Sequence, residues 1–221
     1  MSNEIAQRID EDMRRLRVVL ERVLPAEEPG GEGMVVTPGE ESRILDIACG
    51  SCHEAETLTA FLADLRAGRG AGGRVRLTGV DLREREIADA RRRFAGREQV
   101  ERPGGQVIET EREFFADDAA RLDGHGELDD DFDLVFLRHQ NYWNDRRTWD
   151  AIFERALEKT GSEGRIVITS YFDREHELAL EAFRRLGGEV VRSEFHSETR
   201  DLPTPGKSVD RHVAVIRRRF T

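Results

Sequence analysis

The sequence predicts an α/β sandwich with helices on both faces of its sheet, and three observations carry that reading. Arg43 to Glu54 runs from an apolar stretch ending in an acid, Asp46, through a turn of small residues into a helical pattern. Arg74 to Leu82 repeats the device, an alternating-to-apolar strand closing on Asp81, and Glu54 to Arg66 with Gly68 to Gly73 supplies one crossover helix and its return. The same alternation of strand and helix patterns continues to the end of the chain.

In chain order, Asn3 to Leu24 places Ile5, Ile9, Met13, Leu16, Leu20, Val23 and Leu24 at spacings of three and four, an amphipathic helix. Pro25 to Glu40 is rich in Gly, Pro and Glu and reads as a connector, so residues 1–40 stand apart from a main domain over 41–221. Strand, loop and helix then occupy 43–66, the second strand 74–82, and a helix Arg83 to Phe94. Gly96 to Arg112, broken by Pro103-Gly104-Gly105, reads as a hairpin-like excursion before a third strand. Asp131 to His139 is the fourth strand, followed by Tyr142, Trp143 and Trp149 and a helix to about Lys159. Gly164 to Tyr171 is the fifth strand, preceded by a Gly-containing turn. Asp173 to Leu186 is a helix stopped by Gly187-Gly188, Glu189 to His196 the sixth strand, and Ser208 to Arg218 the last.

The turn after the first strand marks a small-molecule site. Small residues let backbone N–H groups approach a ligand, and the following helix N-terminus favours a carboxylate or phosphate. A dinucleotide fingerprint needs glycine at the first, third and sixth loop positions, and from Ala48 to His53 only Gly50 matches. An acid two residues before the loop instead resembles the first motif of class I S-adenosylmethionine-dependent methyltransferases, Asp/Glu-x-Gly-x-Gly-x-Gly, here Asp46-Ile47-Ala48-Cys49-Gly50-Ser51-Cys52. Ala48 and Cys52 replace two of its glycines, and Cys52 sets a side chain where the backbone passes the methionine part of the cofactor.

The resemblance spans Glu41 to Phe220 and implies a Rossmann-like, seven-stranded, mostly parallel sheet with an antiparallel last strand. It implies S-adenosyl-L-methionine as cofactor and S-adenosyl-L-homocysteine as product. Asp81 would meet the ribose hydroxyls, since a carboxylate accepts both protons of a vicinal diol, and Leu82 next to it would also contact the cofactor. Asp118-Ala119 would take the adenine, with Asp117 as the one-residue alternative. Arg138 at the end of the fourth strand would lie beside the transferable methyl, and His53 at the methionine end. His139 is the candidate general base, imidazole being suited to neutral pH. Tyr171, Asp173 and His176 follow the fifth strand, and His196, Asp210 and His212 flank the last hairpin, any of which would reach the substrate side. The Asn/Asp-Pro-Pro-aromatic motif of enzymes that methylate exocyclic amines is absent, Arg138-His139-Gln140-Asn141 standing in its place.

Bulk composition narrows the partners. The 221 residues are 38% hydrophobic and 36% charged, with no membrane-spanning run and no signal-peptide core, so a cytoplasmic protein is expected. A net charge of −10 opposes a general nucleic-acid surface. Arginine supplies 33 of the 35 basic residues, Lys159 and Lys207 being the exceptions. Cys49 and Cys52 have the spacing of a redox pair or half a metal site. With no second cysteine pair, small loop residues are the plainer account and no metal is expected. The acceptor is expected to be a small molecule, and the N-terminal helix to cover the pocket, pack outside the sheet or make a homodimer contact. Two further readings stand beside the methyltransferase: a non-catalytic cofactor-binding regulator or partner subunit, and, more remotely, a nucleotide-dependent oxidoreductase.

Overall fold

The computed structural model describes residues 3–27, 31–36, 41–124, 128 and 131–219. Parts of the expected connector, 28–30 and 37–40, and the end of the resemblance at Phe220 lie outside them. The eight strands of the main sheet are β1 (Ser42–Ile47), β2 (Gly73–Asp81), β3 (Gly96–Glu101), β4 (Val107–Ala116), β5 (Phe132–Leu137), β6 (Thr160–Ser170), β7 (Gly188–Phe195) and β8 (His212–Arg218). The helices are α1 (Asn3–Val23), α2 (Ala55–Gly68), α3 (Glu84–Phe94), α4 (Arg146–Lys159) and α5 (Asp173–Arg185).

The sheet order is β3-β4-β2-β1-β5-β6-β8-β7. Strands β4, β2, β1, β5 and β6 run parallel, and β8 is antiparallel to both β6 and β7. The expected seven strands are therefore eight: the Gly96–Arg112 excursion is a true hairpin whose first arm, β3, adds an antiparallel edge beside β4. Polar side chains along this arm, Arg97, Glu98, Gln99 and Glu101, suit an edge strand open to water.

Two other expectations shift. The fifth strand does not begin after a turn at Gly164 but reaches back to Thr160, with a break in its register against β5 between Phe132 and Leu134. The last strand begins at His212, because Asp210 takes a left-handed backbone, φ 50°, and leaves Ser208–Val209 to pair separately with Arg200–Asp201.

Period-two alternation sends neighbouring side chains to opposite layers. In β5, Leu134 and Phe136 join the layer of α1, α2 and α3, while Val135 and Leu137 join that of α4 and α5. Strands β6 and β8 divide in the same way, Val167, Val213 and Val215 against Ile166, Ile168, Ala214 and Ile216. Helix α1 inserts Leu16, Val19, Leu20 and Val23 into the first layer with Phe61 and Leu62 of α2, so its apolar stripe belongs to the core. It is fastened further by Arg17 on Asp64, at 2.7 Å, and Asp12 on Arg200, at 2.6 and 3.0 Å. Among the described residues no helix is long and apolar enough to cross a membrane.

Helix α5 begins with two buried groups that titrate in opposite senses. Burial pushes the Glu175 carboxyl up to about 7, although it accepts the Tyr171 N–H at 2.8 Å. Burial, with the facing His212, pushes His176 down to about 3, its ring lying between Ser170 Oγ at 3.0 Å and Ser193 Oγ at 2.9 Å. The native chain thus holds an extra proton on Glu175 from about pH 4.5 to 7, and the unfolded chain one on His176 from about 6.5 to 3. Their contributions to stability cancel over the shared window. A His176→Gln chain, freed of the acid penalty but not of Glu175, is expected to gain about 2 kcal/mol on its parent between pH 7 and pH 5, read by urea unfolding. A pH-independent difference would sink this assignment.

Candidate cofactor site at the carboxyl ends of the strands

In an open α/β sheet ligands lie beyond the carboxyl ends of the strands, and that edge here carries a cleft of about 420 Å³. Ala48 from the loop after β1, Asp81, Leu82 and Arg83 after β2, Asp118 and Ala119 after β4, and Arg138, His139 and Asn141 after β5 line it. Thr148, Trp149 and Ile152 of α4 close the other wall. Seven of the residues singled out in the sequence therefore share one cavity: Ala48, Asp81, Leu82, Asp118, Ala119, Arg138 and His139.

The loop takes its shape from three left-handed residues at alternate positions, Ala48 (φ 56°), Gly50 (φ 57°) and Cys52 (φ 46°). These are the three glycine positions of the motif, so the loop keeps the motif's course at two positions where an L side chain is strained. It is pinned by Cys49 N–H on the Val80 carbonyl at 3.1 Å and by Gly50 N–H on Asp81 Oδ2 at 2.8 Å.

Asp81 is 4% exposed. Burial alone would raise its carboxyl, but hydrogen bonds from the Arg83 side chain and backbone and from Gly50 outweigh that and hold it below the usual range. The Arg83 guanidinium lies across both of its oxygens, Nε at 2.9 Å and Nη2 at 3.1 Å. Beside it, Leu82 is 71% exposed and offers the cleft an apolar surface. Asp118 caps the short 3-10 turn Ala119–Gly124 through the Ala120 N–H at 3.0 Å. Of the two candidate acids it is Asp118 that lines the cleft; Asp117 does not, its Oδ1 accepting the Asp118 N–H at 2.7 Å.

Beyond the cleft's inner end lies a buried polar network. Arg138 grips Asp210 with Nε and Nη2, at 3.0 and 2.7 Å, and reaches Glu54 Oε2 with Nη1 at 3.3 Å. Burial opposes the charge on Arg138, but Asp210 and then Glu54 more than restore it. Burial likewise opposes the charge on Asp210, yet Arg138 and then His139 hold its carboxyl well below the usual range. His139 turns back toward this pair through a left-handed backbone, φ 57°, its Nε2 lying 2.8 Å from Asp210 Oδ1 and its ring stacked on Tyr171 at 3.8 Å. Burial dominates its titration and holds the imidazole neutral to lower pH than usual. Asp210, 71 residues from His139, is the partner that local sequence patterns do not reveal.

Three expected cofactor residues point elsewhere. Cys52 does not face the cleft: it is fully buried, and its Sγ lies 3.0 Å from Asp46 Oδ2. The left-handed backbone at Cys52 turns the thiol beneath the loop. Asp46 is fully buried there too, burial and then Glu54 raising its carboxyl well above the usual range. His53 sits against α3, its Nδ1 2.9 Å from Arg93 Nη1 and its ring edge-on to Phe94. Of the residues flanking the far end, Tyr171 reaches the site through His139, while Asp173 pairs with His212 at 2.7 Å and His176 and His196 are buried.

Solved structures share this architecture. A TehB-like S-adenosylmethionine-dependent methyltransferase from Corynebacterium glutamicum aligns over 99% of this chain and 98% of its own at 18% identity and TM-score 0.57. The N-methyltransferase NodS from Bradyrhizobium japonicum aligns over 99% of both chains at 16% identity and TM-score 0.54. An S-adenosylmethionine-dependent methyltransferase from Methanosarcina mazei covers 82% of this chain and 94% of its own at 15% identity and TM-score 0.55. No family model and no curated protein matches the chain. The chain has the fold of class I S-adenosylmethionine-dependent methyltransferases.

Proposed function

We propose that this protein is an S-adenosylmethionine-dependent methyltransferase acting on a small-molecule acceptor. The observation that carries the proposal is the convergence of Ala48, Asp81, Leu82, Asp118, Ala119, Arg138 and His139 on one cleft at the switch edge of this fold. When bound, the cofactor supplies a methyl group on a sulfonium that needs no further activation, so the protein's tasks are positioning and proton removal. Asp81 accepts the ribose hydroxyls once Arg83, whose side chain is 63% exposed and so weakly held, swings aside. Leu82 covers one adenine face, and Asp118 and the Ala119 backbone meet its edge. His139, neutral and with Nε2 held by Asp210, would take the proton of an acceptor hydroxyl or amine on Nδ1.

Calorimetric titration of the reduced protein with S-adenosylmethionine and S-adenosylhomocysteine tests the reading. Micromolar affinity for both is expected, and neither heat nor thermal stabilisation from either ligand would end it. His139→Ala is expected to keep that affinity while slowing transfer by about 10² to 10⁴. A loss of affinity as large as the loss of rate would assign His139 to the cofactor instead.

A second reading, a cofactor-binding partner or regulator, is favoured by one observation: Arg83 covers Asp81, while Arg138 is committed to Asp210 and Glu54. The fold also serves other chemistry, as in the [4+2]-cyclase SpnF, which aligns over 83% of this chain and 59% of its own at 19% identity and TM-score 0.51. Binding without transfer to any acceptor in a broad panel supports this second reading; product formation excludes it.

A further inference from the structure

The side chains beneath the loop after β1 have a chemistry of their own. Asp46, Cys52 and Glu54 bring one donor atom each to within 4.8 Å of one another, all three residues buried. The Cys52 thiol lies 3.0 Å from Asp46 Oδ2, while the Cys49 thiol turns to the Gly50 carbonyl at 3.6 Å. Asp46 Oδ1 is buried and accepts no hydrogen bond from the described residues, an arrangement that costs free energy unless something occupies that side of the carboxylate. Among the described residues no Lys, Arg or His nitrogen forms an ion pair with Asp46. The Arg138 guanidinium is shared between Glu54 and Asp210, so it leaves Asp46 without a direct cationic partner.

We propose that Asp46, Cys52 and Glu54 form a closed site for a divalent metal ion of the zinc class, held under the loop. A thiolate with two carboxylates matches zinc's mixed preference, and bonds of about 2.0 to 2.3 Å need only a small closing of these donors. The Cys52 Sγ–H bond breaks as the sulfur–metal bond forms, the proton leaving to solvent, so uptake is proton-coupled. Arg138 then holds Glu54 from outside the ion, as outer partners commonly fix a ligating carboxylate. The site explains why a cysteine stands at a left-handed position that glycine fills without strain: the thiol is what the backbone holds in place. Such an ion fastens the end of β1 to the start of α2 and fixes the loop's course. The proposal is independent of the methyltransferase reading.

The test uses the full chain, stripped with a chelator under reducing conditions and then given zinc or, as an optical probe, cobalt. One zinc per chain should survive desalting, with a raised melting temperature that chelator reverses. Cobalt should give a thiolate charge-transfer band and the visible bands of tetrahedral coordination. Cys52→Gly relieves the left-handed strain while removing the buried thiol and its bond to Asp46, and is expected to lose the charge-transfer band and at least tenfold in metal affinity, with its fold checked by circular dichroism. Asp46→Asn should weaken the site similarly, while Glu56→Gln on the exposed face of α2 should not. Failure of the parent to hold stoichiometric metal, or equal retention by the Cys52→Gly chain, would overturn the proposal. S-adenosylmethionine titration of the stripped parent separates the two readings, because the cofactor's diol contacts depend on Asp81.

Discussion

An Asp81→Ala chain is expected to bind S-adenosylmethionine about 10² to 10⁴ times more weakly than its parent. The estimate follows from two charge-assisted hydrogen bonds to the ribose, each contributing about 1.5 to 3 kcal/mol. A second loss accompanies it. Asp81 Oδ2 accepts the Gly50 N–H, and removing it leaves that donor unpaired in a loop with left-handed backbone at three alternate residues. Asp81→Asn separates the two effects, since an amide oxygen still accepts from Gly50 but offers the diol one acceptor and no charge. Its affinity is expected between those of the parent and the alanine variant, read by calorimetry under identical salt. Arg83 gives an internal check. With Asp81 gone its guanidinium loses both acceptors, so Arg83→Ala should leave the affinity of the Asp81→Ala chain unchanged. Micromolar binding by the Asp81→Ala chain would show that the cofactor, if bound, does not use this carboxylate.

The elements that build this cleft are legible in the sequence because their signals are local. Strands β1, β2, β5 and β6 carry apolar runs buried on both faces, and an acid at or one residue before the carboxyl end of the first two, Asp46 and Asp81, marks where the ligand edge begins. Edge strand β3 is harder to read. Its residues alternate little because water meets both of its sides, and only the turn at Pro103-Gly104-Gly105 announces a hairpin. The direction of the Cys52 side chain is hidden for a different reason. Sequence gives the residue its place in the motif, but a φ of 46° sends its thiol under the loop toward Asp46.

The inner end of the site depends on pairs far apart in the chain. Arg138 meets Glu54 across 84 residues and Asp210 across 72, and no periodicity records either contact. Asp210 stands in the sequence among several polar residues flanking the last strand. It becomes the partner of His139 only because β8 lies antiparallel beside β6, opposing His212 to Ser170 and carrying the preceding turn over the end of β5. Long-range antiparallel pairing thus converts an ordinary acid into a group that orients the candidate base.

Arg138→Met should destabilise the folded chain by about 3 to 5 kcal/mol, because it leaves Asp210 and Glu54 buried without their cation. At this chain length that is a fall in melting temperature of about 6 to 20 °C. The pH dependence identifies the cause. In the parent, Arg138 and His139 hold Asp210 well below its ordinary value, so its contribution is present above pH 4 and is lost only as the pH falls toward its folded pKa. Without Arg138, burial wins and the carboxyl rises above its unfolded value. The native variant then keeps an extra proton, and its stability declines as pH climbs through that range. The gap between parent and variant should therefore be small near pH 4.5 and widen toward pH 7.5, as urea unfolding at the two pH values will measure. A second substitution, Asp210→Asn, removes the stranded charge and should recover a large part of the loss at pH 7.5 but little at pH 4.5. An equal penalty at both pH values would mean that Arg138 serves by packing, its guanidinium lying 4.0 Å from Met13 Sδ, and that its charge is incidental to the fold.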